Sequence, residues 1–131
     1  NDKSEDTGFI RDLYHEYDEL REQMRRKNIY ELSEGVSNQG PSFVPTCKMV
    51  KGRITSTCYD KEEGIKAYEG TDCWKTGRQD QRVPSWCDRI LYRKFGDDPH
   101  NLICTYYDRF DVGEVMAKSD HAGVLSMFEL T

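Results

Sequence analysis

Apolar residues recur early in the chain at Phe9, Leu13, Tyr17, Leu20 and Met24, separated by four, four, three and four positions. That is the period of an amphipathic helix, and it predicts one helix over about residues 9–27. Asp6 or Thr7 is placed to cap its start, and Arg25, Arg26 and Lys27 to complement the dipole at its end. His15 rides on this helix without a partner at ligand spacing and reads as a surface residue. The periodicity then stops. Residues 33–46, SEGVSNQGPSFVPT, have the glycines, prolines and polar residues of a loop with room for one short strand. Residues 51–81 are polar and punctuated by Gly52, Gly64, Gly70 and Gly77, and only ITSTCY at 54–59 is β-branched enough for a strand.

Three strand-like runs follow: CDRILYR at 87–93, LICTYYD at 102–108 and AGVLSMFEL at 122–130. They predict one sheet, so the fold class read from the pattern is α/β (α+β), with a helix first and the sheet late. In an up, down, up arrangement the first and third runs begin at the same end of the sheet. Asp88 and His121 would then share a rim. An aspartate that accepts a hydrogen bond from one imidazole nitrogen fixes the tautomer and leaves the other nitrogen facing a substrate oxygen. On spacing alone, a satisfied structural histidine is the better account.

Charge changes the picture more than bulk composition does. Residues 1–34 hold ten acids against six bases, whereas residues 73–95 hold six bases (Lys75, Arg78, Arg82, Arg89, Arg93, Lys94) against two acids (Asp80, Asp88). A local basic zone in a chain of net charge -5 suits a compact anionic ligand and argues against a nucleic-acid partner, which selects a broader positive face. The five cysteines are odd in number and include no CxxC pair, so neither a disulfide framework nor a zinc ribbon is indicated. Reduced thiols in a cytoplasmic protein are the expectation, with peripheral membrane contact left open. No apolar run approaches the roughly 20 residues of a membrane span. The length suits one domain, residues 1–131, and a start at Asn1 is expected of a piece of a longer protein.

Two strings carry more specific chemistry. RVPSWCDRIL at 82–91 and SDHAGV at 119–124 resemble the PxWCDR(I/V)L and SDHxPV motifs of inositol polyphosphate 5-phosphatases, relatives of deoxyribonuclease I and the abasic-site endonucleases. Pro84 through Leu91 fit the first motif throughout. Ser119, Asp120, His121 and Val124 fit the second, with Gly123 in place of the usual proline. FVPTCK at 43–48 resembles the family's FPPTYK, and YDELREQM at 17–24 resembles the helix that follows its GDLNYR segment, so the likeness covers nearly the whole chain.

The resemblance implies a magnesium-dependent phosphatase acting on the 5-phosphate of an inositol phosphate or phosphoinositide. Asp88 and His121 would contact the scissile phosphate, Asp120 would lie beside the attacking water and metal, and Lys48 and Arg82 would hold a neighbouring ring phosphate. Phosphoryl transfer asks for such positioning, positive charge and hydrogen-bond donors. Cys47 replaces a tyrosine usual in lipid-acting members, and Asp80 replaces a lysine. Both changes weaken the grip on a ring phosphate and leave soluble and lipid substrates open. Trp86 and Leu91 read as core, Arg89 as a brace, Cys87 as no nucleophile, and the Asp97, Asp98 and His100 cluster as a polar turn.

The same resemblance implies a two-sheet α/β sandwich of the deoxyribonuclease I type, of which this chain is the C-terminal half. The family's Mg2+-binding glutamate and asparagine, its second histidine and its GDxN segment are expected upstream of Asn1. Alone, the chain is therefore expected to have little activity and to need the missing half or self-association. Two other readings stand beside this one. The first is a non-catalytic phosphate-binding or protein-interaction module derived from the same fold, and the second is a nuclease, which the WCDR string disfavours.

Overall fold

Asp18 interrupts the predicted helix. The computed structural model describes residues 3–47, 85–94, 96, 97, 99–110 and 113–131. In it the N-terminal region forms α1 (Lys3–Tyr17) and α2 (Glu19–Arg25) rather than one helix over 9–27. Asp18 adopts an extended conformation, and its carboxylate accepts the Arg21 backbone N–H at 2.9 Å, so it serves as the N-cap of α2. An aspartate offers the backbone this alternative to a continuing helix, and the apolar period does not register it. The Arg21 guanidinium then returns to the His15 carbonyl at 3.1 Å and lies over the Tyr14 ring. The buried face of α1 consists of Ile10 and Tyr14, four residues apart, whereas Tyr17 of the predicted stripe is 75% exposed. Helix α1 also begins upstream of Asp6 and Thr7, which therefore lie within it. His15 is exposed.

The chain divides into two compact units. The first comprises Asn1–Ser42, Ile90–Asp108 and Leu125–Thr131. Its strands β1 (Ser33–Glu34) and β2 (Leu91–Tyr92) pair antiparallel, Ser33 with Tyr92 and Glu34 with Leu91. Among its described residues, Ile10, Tyr14, Cys104 and Tyr107 are buried apolar groups, and Glu34 is buried as well, at 2% exposure. The Glu34 carboxylate accepts the Tyr107 hydroxyl at 2.7 Å, which gives the buried group a hydrogen-bond partner. The Tyr92 hydroxyl donates to the Gly35 carbonyl at 2.7 Å, and burial raises its pKa above the usual phenol value. Gly40, at φ 76°, lies so close to the Tyr14 ring that a side chain there would displace it. This contact seats α1 on the turn after β1.

The second unit comprises Phe43–Arg89 and Arg109–Val124. Phe43, Val44, Thr46 and Ala122 are buried in it. The strands β3 (Leu102–Phe110) and β4 (Gly123–Leu130), most of whose residues, 102–108 and 125–130, belong to the first unit, pair with each other, and reciprocal backbone bonds between Asn101 and Thr131, at 2.8 and 3.0 Å, close one end of that pairing. Ile103, Leu125 and Met127 on these strands remain about half exposed.

The described strands thus form two separate two-stranded sheets, not the single sheet expected of the three late runs. The physical reason lies in where the backbone N–H groups of the first run go. The Asp88 N–H donates to the Thr46 hydroxyl at 3.3 Å, and the Ile90 N–H to the Tyr107 hydroxyl at 3.3 Å. Donors satisfied by side chains are not available to a ladder, so only Leu91 and Tyr92 remain for strand pairing. Trp86 and Leu91, read as core, are half-buried. The Trp86 indole N–H donates to the Phe43 carbonyl at 2.8 Å, giving its polar edge a partner that a purely apolar core would lack. No helix among the described residues is long and apolar enough to cross a membrane.

Candidate functional site

The FVPTC segment at 43–47 organises the second unit. Cys47 forms reciprocal backbone hydrogen bonds with Ser85, both 3.2 Å, and is also bridged to His121. One residue earlier, the Thr46 carbonyl accepts the Ala122 N–H at 2.9 Å. This short extended stretch therefore borders the PSWCDRIL string on one side and the SDHAGV string on the other. Pro45 leaves no amide N–H for the ladder, which is consistent with pairing confined to Thr46 and Cys47.

The two strings meet at a single atom. Asp88 Oδ2 lies 2.7 Å from His121 Nδ1 and accepts the Thr46 hydroxyl at 2.8 Å. Thr46 is fully buried at 0% exposure, while the side chains of Asp88 and His121 keep 35% and 40% of theirs. A buried hydroxyl thus holds the inner side of a carboxylate whose imidazole partner opens to solvent. The His121 backbone N–H donates to Ser119 Oγ at 3.1 Å, which fixes the approach of the SDH stretch. Next in the chain, Gly123 packs against the ring of Phe110 closely enough that a Cβ at position 123 would meet three ring atoms. A proline there would displace that ring, so the departure from the SDHxPV pattern is matched by a local packing change.

Asp88 and His121 are thus brought into direct contact. Asp120, adjacent to His121, is half-buried. Lys48, Arg82 and Asp80 lie outside the described residues. Arg89 is half-buried, His100 is exposed, and Cys87 is exposed with its thiol 3.0 Å from Ser85 Oγ. Cys47, Cys87 and Cys104 form no disulfide. Among the described residues, no three His, Cys, Asp or Glu side chains converge as a metal site would require. Cavities of about 620 and 430 Å³ open in the first unit, both bordered by Met24, Lys27 and Glu31, and neither is lined by Asp88 or His121.

Thr46 is the residue that the strings alone did not single out. It sits within FVPTCK, in which Lys48 and Cys47 drew attention by their charge and by their departure from a pattern. The available signal was the placement of a threonine beside them in the same motif. A hydroxyl has no visible function until its partner, 42 positions away, is known.

Comparison with known proteins converges on one group. A family model, Endonuclease/Exonuclease/phosphatase family 2, matches residues 6–127. The Type I inositol polyphosphate 5-phosphatase 13 of Arabidopsis thaliana is 27% identical over 126 residues, which is 92% of this chain and 9% of that protein. The chain therefore spans less than a tenth of the relative it matches. No solved structure matches it.

Proposed function

The chain belongs to the endonuclease/exonuclease/phosphatase family, and we propose that it carries the phosphate-facing dyad of a phosphoric monoester hydrolase acting on the 5-phosphate of inositol polyphosphates or phosphoinositides. The observation that carries this reading is the 2.7 Å contact between Asp88 of PSWCDRIL and His121 of SDHAGV, two strings distant in sequence. The name of the similar plant protein supports the inositol phosphate class.

In this reading, Asp88 accepts from Nδ1 of His121, and Nε2, the nitrogen left facing the substrate, donates to a phosphoryl oxygen from the protonated ring. A donor aimed at the phosphoryl group stabilises charge as the bond to the leaving oxygen breaks. Asp120, beside His121, accepts a hydrogen bond from the attacking water. Lys48 and Arg82 hold a neighbouring phosphate of the ring, Arg82 as a planar two-pronged donor and Lys48 as a point charge. Magnesium belongs to the proposal because it neutralises phosphoryl charge and helps activate water. The described residues do not by themselves fit such a site. The proposed fold is the C-terminal half of a deoxyribonuclease I-like sandwich, and the chain alone is expected to have little activity.

The test is phosphate release from inositol 1,4,5-trisphosphate and from phosphatidylinositol 4,5-bisphosphate, with and without magnesium, by the natural protein that contains this segment. His121→Ala should lower magnesium-dependent release by about a hundredfold or more. Undiminished release from the variant would sink the assignment. Phosphate binding without release from either substrate would favour a binding module.

A further inference from the structure

We propose that the Thr46 hydroxyl is a positioning group that determines which nitrogen of His121 is offered to the substrate. This role presupposes the phosphate-facing reading of the dyad and adds to it the group that sets its proton pattern.

The geometry constrains each hydrogen in turn. Thr46 Oγ1 accepts the Asp88 backbone N–H, a donor whose direction the peptide plane dictates. With that contact occupied, the hydroxyl hydrogen is directed to its other neighbour, Asp88 Oδ2, at 2.8 Å. Oδ2 consequently receives a proton donor on its inner side and is held as an acceptor. The same atom is 2.7 Å from His121 Nδ1. An acceptor there requires the hydrogen of that bond to belong to Nδ1, so in the neutral ring Nε2 carries the lone pair. The order runs from Asp88 N–H to Thr46 O–H to Asp88 Oδ2, and from His121 Nδ1–H to the same oxygen.

Backbone contacts make this arrangement stiff. The Thr46 carbonyl binds the Ala122 N–H at 2.9 Å, so the residue that directs the aspartate also anchors the neighbour of the histidine. Thr46 is at 0% exposure, so water cannot replace its hydroxyl without a rearrangement of the segment. Serine would preserve the chain of donors. Valine would preserve the shape and remove it, leaving Oδ2 free to rotate away from Nδ1.

Two readouts test the proposal. Nitrogen-15 NMR of the His121 ring, at a pH where the ring is neutral, should show Nδ1 protonated in the natural protein and in Thr46→Ser, and a mixture of tautomers in Thr46→Val. In the natural protein with magnesium and inositol 1,4,5-trisphosphate, Thr46→Val should lower kcat by about tenfold with KM nearly unchanged, while Thr46→Ser restores kcat to within about twofold. An Nε2-protonated ring in the natural protein overturns the proposal, and that measurement remains decisive even if Thr46→Val fails to fold. So does a Thr46→Ser variant as impaired as Thr46→Val, because packing and not the hydroxyl would then matter. A His121→Ala variant with full activity refutes the phosphatase reading while leaving the tautomer result intact, so the two failures are distinguishable.

Discussion

Each of the two units contains a carboxylate that accepts a hydroxyl, Glu34 from Tyr107 at 2.7 Å and Asp88 from Thr46 at 2.8 Å. In the first unit the carboxylate is 2% exposed, as enclosed as the buried Ile10 and Cys104 of that unit. The Tyr107 hydroxyl also accepts the Ile90 N–H, so the pair braces one backbone against another. In the second unit the hydroxyl is buried but the carboxylate is only half-buried, and its other neighbour is an imidazole with 40% of its surface open. The same chemical device is a brace where both partners are enclosed and a candidate reactive site where one side faces solvent. Burial, not residue type, separates the two uses.

The largest contrast should come from amide substitution at the open carboxylate. Asp88→Asn keeps the shape, but at the Oδ2 position shared by Thr46 and His121 it offers either an uncharged amide oxygen or an NH2 that can accept from neither. It should lower kcat for phosphate release by about a hundredfold while stability changes by less than about 1 kcal/mol. Equal loss of stability and activity would erase the distinction between site and brace. Next in size, Tyr107→Phe removes a hydrogen bond to a buried carboxylate. Urea denaturation should register a loss of about 1.5–3 kcal/mol, with the His121 nitrogen-15 spectrum unchanged. A shifted His121 spectrum would mean that the two carboxylates are not independent.

The smallest effect is expected at a carboxylate paired on the helix surface rather than held inside a unit as Glu34 is. Glu22 is paired with Arg25 and Arg26, and hydrogen bonds from these guanidinium groups, Arg25 first, lower its pKa from the ordinary 4.5 to about 2. A carboxylate depressed in the folded state contributes stability that is fully present above about 4.5 and fades as pH falls toward about 2. Its side chain, 35% open to solvent, meets its partners at the surface, where such pairs contribute little. Carbon-13 NMR of the Glu22 carboxyl should give a midpoint near 2, moving up toward 4.5 in Arg25→Gln. A midpoint already near 4.5 in the natural chain would show that these pairs do not persist in solution.

Several features were legible in the residues themselves. The spacing of apolar positions marked the helical region, and the β-branched and aromatic runs at 102–108 and 122–130 became β3 and β4. The strings PSWCDRIL and SDHAGV singled out Asp88 and His121. Other features were not legible. The helix break at Asp18 depends on a side-chain cap that an apolar period does not record. Strand β2 shrank to Leu91–Tyr92 because Thr46 and Tyr107 side chains take the N–H groups before it. The inward stripe of α1 runs through Ile10 and Tyr14 and leaves Tyr17 outside, since the helix ends there.

The amino-acid sequence by itself determined the kinds of element and the chemical groups at hand: an amphipathic helical start, late strands, and an aspartate and a histidine in family-like strings. Only the tertiary structure decided which groups met. Local propensity acts over a few residues, whereas the Thr46–Asp88–His121 contacts close over separations of 42 and 33 positions. Such contacts form only when distant backbone donors and acceptors have no nearer partner and the burial of Thr46, Phe43 and Ala122 removes water as an alternative.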